Sequence, residues 1–159
     1  MIDRVIPAAT IVAGVGSGVM AGLFFVFSAF LMGVLSRLPP AQGMATMQSI
    51  NVAILNPLFG LLFFGTTVAC LVLVVAAPFT DRPGAAWRLV GGLLFLVGAV
   101  LLTMVVNVPL NNELVAADPA SVDGAQLWER YLARWTAWNH VRLVASTGAA
   151  AILTIAASG

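Results

Sequence analysis

The run VIPAATIVAGVGSGVMAGLFFVFSAFLMGVLS, Val5 to Ser36, carries no charged residue between its flanking Arg4 and Arg37. A helix crosses a hydrocarbon core of about 30 Å with about 20 mainly apolar residues, and this run is longer than that. A membrane β-barrel would instead show alternating segments of about 10 residues, whereas the apolar character here is continuous. Working outward, three further charge-free runs fill positions 38–80, 89–112 and 143–159. They predict an all-α fold, an integral membrane four-helix bundle, as a single transmembrane domain over 1–159. Its spans are expected at roughly 6–35, 44–77, 86–107 and 137–157. The second run could hold two short spans; it reads as one long helix with a polar entrance. Pro39, Pro40 and Gly43 punctuate the first loop, and Pro78, Pro83 and Gly84 the second. The third connection, about 108–136, is expected to be a long loop with an amphipathic helical extension before helix 4.

Composition agrees. The chain is 61% hydrophobic and 8% charged over 159 residues, and its mean hydropathy is +1.05. A soluble domain is about 45–50% apolar and about 25% charged. A soluble enzyme, a disordered chain and a nucleic-acid-binding domain are excluded, the last also because a net charge of +1 offers no basic field. The bilayer itself is the expected partner. Cys70 is the single cysteine, so neither an intrachain disulfide nor a cysteine metal cluster can form. The first run is too long for a signal-peptide core and shows no cleavage site, so it reads as a retained helix. Four spans put both termini on one side. Arg4, Arg82 and Arg88 on that side favour termini in the cytoplasm of a bacterial inner membrane, because arginines near short loops carry the positive-inside rule.

Gly14, Gly18 and Gly22 recur every four residues in helix 1. Such spacing lets helix backbones approach closely. Packing within the bundle is the simplest use, and a homo-oligomer contact through that face is the competing one. Pro57 removes a backbone donor and should kink helix 2, with Asn56 capping the freed groups. The phenylalanines at 24, 25, 27, 30, 59, 63 and 64 read as core or lipid-facing bulk, with ligand stacking as the alternative.

Antiparallel connectivity gathers polar residues at one end. Helix 1 ends in Ser36 and Arg37. Helix 2 begins with Gln48, Asn51 and Asn56. Helix 3 ends with Asn107, Asn111, Asn112 and Glu113, and helix 4 begins with Asn139, His140 and Arg142. Amides, an imidazole and a guanidinium at bilayer depth are costly unless paired or facing a cavity, which makes them functional candidates. The wholly apolar part of helix 4, Leu143 to Ala157, falls short of a full span, so Asn139, His140 and Arg142 are expected just inside the boundary. Asp123 and Gln126 resemble a capping box that starts the helix. Trp128, Tyr131, Trp135, Trp138 and Arg142 then follow at spacings of three and four, as one stripe. It is either an interfacial aromatic belt or the lining of an aromatic cavity. Asn139 lies beside the stripe and His140 on another face. Pro109 disfavours a helical Val108 and is expected to end or bend helix 3 there, so Asn107-Val-Pro-Leu-Asn111 reads either as a terminating cap or as amides aimed into a pocket. One histidine makes no zinc site, and no metal is expected. His140 remains open as a general base, an axial haem ligand or a structural hydrogen-bonding group.

These residues carry a resemblance. Asn107-x-Pro109-x-Asn111, an acidic loop, and then Trp128-x-x-Tyr131-x-x-x-Trp135-x-x-Trp138-Asn139-His140-x-Arg142 resemble the anthrone oxygenase-like family of small four-helix membrane proteins. The resemblance extends over almost the whole chain. It implies a four-helix membrane fold and an oxidoreductase acting on a lipophilic aromatic molecule. Fungal members are linked to oxidation of polyketide anthrones to anthraquinones, and most bacterial members have no assigned substrate. Removing a proton from an anthrone methylene gives an electron-rich anthrolate, which reacts with O₂ without a metal. Such chemistry needs a base, an oxyanion stabiliser and a flat apolar slot. His140, Arg142 and Asn139 are the catalytic candidates, with His140 as base. Asn107, Asn111, Trp135, Trp138, Tyr131, Asn51 and Gln48 are the substrate-binding candidates. Cofactor-free O₂ chemistry is favoured, with haem on His140 as the minority expectation.

Two other classes compete. A non-catalytic membrane subunit or lipid-binding four-helix protein would use the amides as helix caps and the tryptophans as anchors. A transporter or channel is disfavoured, because the polar residues stop at one end; Ser28, Thr66, Thr67 and Thr103 are the only continuation.

Overall fold

A computed structural model describes residues 2–80 and 83–158, with side chains described from Val5 onward. Arg4 and Arg82, which entered the orientation argument, lie outside the residues so described. Helix α1 runs over Ile2–Val26, widens into a π-helical turn at Phe27–Leu31 and ends with Met32–Leu35. Helix α2 covers Pro40–Ala53 and α3 covers Pro57–Ala76. Helix α4 begins as Ala85–Phe95, widens at Leu96–Leu101 and again at Thr103–Asn107, and finishes as Val108–Ala116. Helix α5 is one uninterrupted rod, Val122–Ser158. Among the described residues, four stretches are long and apolar enough to cross a membrane: Val5–Leu35, Pro57–Phe79, Ala85–Ala116 and Val122–Ser158. At 1.5 Å per residue, α5 is about 55 Å long, well beyond the hydrocarbon thickness of about 30 Å. This helix is therefore longer than one crossing needs, and its N-terminal half carries the aromatic stripe.

Several local expectations change. The single helix over 44–77 is two helices separated at Ile54–Asn56. The break at Pro57 is a full restart: Asn56 is extended, its Oδ1 accepts from Phe59 N at 3.0 Å, and its Nδ2 donates to Ala53 O at 3.1 Å. One asparagine thus closes the end of α2 and opens α3, with Pro57 in the first helical position, where no donor is lost. Pro109, in contrast, does not end α4. Val108 is helical, and its N–H reaches back to Thr103 O across the wide turn just before the proline. π-helical turns relax the ladder in this way and are frequent at functional sites. The third connection is also shorter than expected: α4 continues to Ala116, α5 begins at Val122, and 117–121 is all that remains between them. The cap of α5 is Ser121, whose Oγ accepts from Gly124 N at 2.9 Å, in place of Asp123.

Gly43 is likewise not a loop breaker. It lies inside α2, where an added Cβ would stand 2.8 Å from Leu35 O and 3.1 Å from the Trp128 ring. Its missing side chain lets α2 slip beneath the end of α1 and against α5. Gly14 faces α5, where an added Cβ would stand 3.5 Å from the Leu153 Cβ, while one added at Gly22 would meet nothing within 4 Å.

The core has two parts. One joins Ala13, Met20, Phe63, Cys70, Leu73, Phe95, Ala149 and Leu153 through the middle of the bundle. The other joins Met32, Leu35, Met44, Met47, Leu110, Leu114, Trp128 and Tyr131 beneath α2. The polar residues of α4 and α5 lie where the two parts meet.

Candidate functional site

Arg142 is the centre of that junction. It is on α5, 5% exposed, with Nη1 donating to Thr103 Oγ1 at 3.1 Å and Nη2 to Asn139 Oδ1 at 2.7 Å. Its guanidinium carbon lies 4.4 Å from the centre of the Phe24 ring and 5.0 Å from that of Trp135. A guanidinium has five N–H donors. Two are used by these oxygens, both neutral, and Nε finds no partner among the described residues. Aromatic faces attract a cation when water is excluded, so Phe24 and Trp135 offset part of the cost of burying this charge.

Asn139 fixes the arginine. It is fully buried, and its Nδ2 donates to Phe24 O at 2.8 Å and to Ser28 Oγ at 2.7 Å. Its Oδ1 is thereby turned towards Arg142. Ser28 lies in the widened turn Phe27–Leu31 of α1, Phe24 lies in the regular turn just before it, and Thr103 opens a widened turn of α4. Two departures from regular helix therefore flank one guanidinium.

The amides of α4 complete the arrangement. Asn111 Oδ1 accepts from Tyr131 Oη at 2.9 Å and from Trp135 Nε1 at 2.8 Å. Tyr131 stacks between Trp128 and Trp135, with ring centres 5.7 and 6.1 Å away, and Asn51 Nδ2 donates to its oxygen at 3.5 Å. Asn107 is buried, Nδ2 donates to Trp135 O at 3.4 Å, and Oδ1 has no donor among the described residues. The aromatic stripe thus points mainly inward as a hydrogen-bonded stack, with Trp138 left 37% exposed at its edge.

Beside Arg142 opens a cavity of about 710 Å³, walled by all five helices. Phe24 and Phe27 come from α1, Asn51 from α2, Phe59 and Phe63 from α3, Thr103, Asn107 and Asn111 from α4, and Trp135 and Arg142 from α5. Ligand cavities commonly measure about 300–1,000 Å³, with apolar walls and a few polar groups. The polar groups here are amides, a threonine hydroxyl and one guanidinium. None of the lining residues is His, Asp, Glu, Lys or Tyr.

The sequence-derived candidates divide accordingly. Arg142, Asn107, Asn111, Asn51 and Trp135 line the cavity. Asn139 and Tyr131 stand behind it and hold lining groups in place. Three candidates belong elsewhere. His140 is exposed on the outer side of α5 and lines no part of the cavity; adjacent helical residues point about 100° apart, so burying Asn139 turns His140 away. Neither a base nor a haem ligand can act in this cavity from there. Gln48 Nε2 donates to Leu114 O at 2.8 Å and Ala117 O at 3.0 Å, so its amide closes the C-terminal end of α4. Trp138 also lies outside the lining. Sequence reasoning undervalued Thr103 and Ser28, read only as steps of a transport pathway, and kept ligand stacking by the phenylalanines of α1 and α3 as the alternative to core or lipid-facing bulk. The spacing of Phe24 and Phe27 on one face of α1 was the available signal.

The family model for anthrone oxygenase matches residues 57–152. The chain belongs to the anthrone oxygenase family. With four helices long and apolar enough to span, it is a multi-pass membrane member of that family. No curated protein and no solved structure matches it. The anthrone oxygenase match takes in α3, α4 and most of α5, including Thr103, Asn107, Asn111, Trp135, Asn139 and Arg142. Phe24, Phe27 and Asn51 come from the part of the chain before it.

Proposed function

We propose that the cavity binds a lipophilic aromatic ketone of the anthrone type and promotes its oxidation by O₂. The observation that carries this reading is a buried guanidinium with unspent donors at the wall of an apolar cavity, in a chain of the anthrone oxygenase family. The balanced reaction is anthrone plus O₂ giving anthraquinone plus water: the methylene carbon loses two hydrogens and gains an oxo group. The slow part without a protein is formation of the anthrolate. Arg142 lowers its cost by pairing with the oxyanion as it develops, in a space from which water is excluded. The cavity wall holds no general base, so Arg142 acts by acidifying the enol tautomer, whose proton leaves towards the polar end of the bundle. Trp135, Phe27 and Phe59 hold the flat rings, and O₂ partitions into the apolar interior. Asn139 is a positioning residue, because it acts through Arg142.

The test is O₂ consumption and anthraquinone formation by protein in lipid vesicles supplied with an anthrone. Turnover above protein-free vesicles is expected. It should fall sharply in Arg142→Met, with the helical content unchanged. Equal rates with and without protein would sink the reading. As part of the same reading, the chain lies in a bacterial inner membrane with both termini in the cytoplasm, on the side of Arg82 and Arg88. Reporter fusions to the C-terminus that are active only outside the cytoplasm would contradict that placement.

A further inference from the structure

We propose that the cavity is loaded sideways from the lipid phase, through a gap between the first turns of α3 and the second half of α4, by a lipophilic ligand that leads with one oxygen. The inference rests on the reading of the cavity as a ligand site and adds its route and the physical class of what enters.

The gap follows from how α3 and α4 pack. They lie against each other along Ala85–Leu101, and beyond that stretch the packing partners of α4 are α2 and α5. The break at Ile54–Asn56 sets the start of α3 apart from α2, and the widened turn at Thr103–Asn107 carries α4 past it. The cavity fills the space left between them. Its rim is exposed and mainly apolar, with Leu55 at 78%, Phe64 at 63% and Met104 at 55%, and carries the amides of Asn56 and Asn112 at its polar end. Phe64 and Met104 belong to the spans Pro57–Phe79 and Ala85–Ala116. At 1.5 Å per residue, Phe64 lies about 10 Å along α3 from its start. The opening therefore begins at the polar end of the bundle, where Leu55 and Asn112 stand, and extends along α3 to the depth of the acyl chains at Phe64.

Gly60 adds an independent observation. It lines the cavity, and a Cβ placed there meets nothing within 4 Å. Glycine is unfavourable in a helix against alanine, and no close backbone approach compensates for it here. What its missing side chain leaves is the width of the opening. At the inner end stands Arg142, the cationic group on the wall. An amphiphile entering oxygen first would reach the guanidinium while its apolar remainder stayed in the gap and the bilayer.

Two measurements in phosphatidylcholine vesicles test this without any turnover. In a Cys70→Ala protein, nitroxide labels are placed singly at Phe64→Cys and Met104→Cys. Collision with O₂ is expected to exceed collision with a water-soluble nickel chelate several-fold at both positions. The reverse order would mean that the mouth faces water. Low collision with both reagents would mean that a second copy of the chain covers it. Either result overturns the proposal. In a second protein Trp87, Trp128 and Trp138 are replaced by Phe, leaving Trp135 as the sole tryptophan. Lipid brominated at mid-chain is expected to quench Trp135, and adding Gly60→Phe is expected to remove more than half of that quenching. Equal quenching with and without Gly60→Phe overturns the route. A lipid-facing mouth in a protein without turnover would sink the oxidation reading and leave this one standing. Turnover with a water-facing mouth would do the opposite.

Discussion

Arg88 and Arg142 are both buried, at opposite ends of the bundle, and they are held in different ways. Arg88 donates through Nη2 to Ala156 O at 3.3 Å, in the last turns of α5. A cation there meets the negative end of the helix dipole, while its Nε and Nη1 have no partner among the described residues. Arg142 is in mid-helix, where no such end is available. It relies on side-chain oxygens of Thr103 and Asn139 and on the faces of Phe24 and Trp135. Charge within an apolar bundle is expensive and is ordinarily tied to function. The comparison therefore separates an arginine at a helix terminus from one at the wall of a cavity, held by a neighbouring amide.

The contrast is sharpest in turnover. Arg142→Met should lower anthrone oxidation by about 10²–10³-fold, the usual cost of removing an oxyanion-stabilising donor. Arg88→Met should leave turnover within a few-fold and instead lower the unfolding temperature in detergent. Similar losses in both variants would erase the distinction.

Asn111→Leu tests whether the aromatic stack depends on its amide. The change leaves the Tyr131 hydroxyl and the Trp135 indole N–H without their acceptor, and each unpaired buried donor costs about 1–3 kcal/mol. A loss of about 2–4 kcal/mol is expected in thermal or denaturant unfolding. Gly43→Ala should cost about 1–3 kcal/mol through overpacking against Leu35 O and Trp128. It acts at the mouth end of the bundle and should leave the arginine at the other end, Arg88, undisturbed. A neutral Gly43→Ala would mean that α2 is not held closely beneath α1.

The spans were legible because charge-free runs of sufficient length have one physical solution in a bilayer. The gathering of polar groups at one end followed from antiparallel connectivity alone. Helix continuity was harder to read. Pro57 and Pro109 look alike in sequence, yet one begins a helix and the other is carried through one. The difference lies in the asparagine cap before Pro57 and the widened turn before Pro109, and the second of these is a tertiary compromise with no sequence signature. Facing was legible only relatively. The stripe identified Trp128, Tyr131, Trp135 and Arg142 as one face, but which face met the core depended on where α1 and α4 lay. Gln48 shows the remaining gap: its position at the right end was readable, whereas its use in closing α4 required the end of α4 to be known.

His140 provides the finest test. It neighbours Asn139 in sequence and is the only histidine, which made it the natural base. Its exposure on the outer side of α5 places it with ordinary surface positions, where substitutions change energies by about 0.5 kcal/mol or less. His140→Ala should therefore keep turnover within about a factor of two, with no change in the acid limb of its pH profile. Asn139→Ala, one residue away, should reduce turnover much more and leave ring stacking at Trp135 intact, because it frees the Arg142 guanidinium from its tether. A pH limb lost in His140→Ala would show that a proton does travel across the outer face of α5. The anion-stabilising role of Arg142 would then need a partner that the cavity wall does not supply.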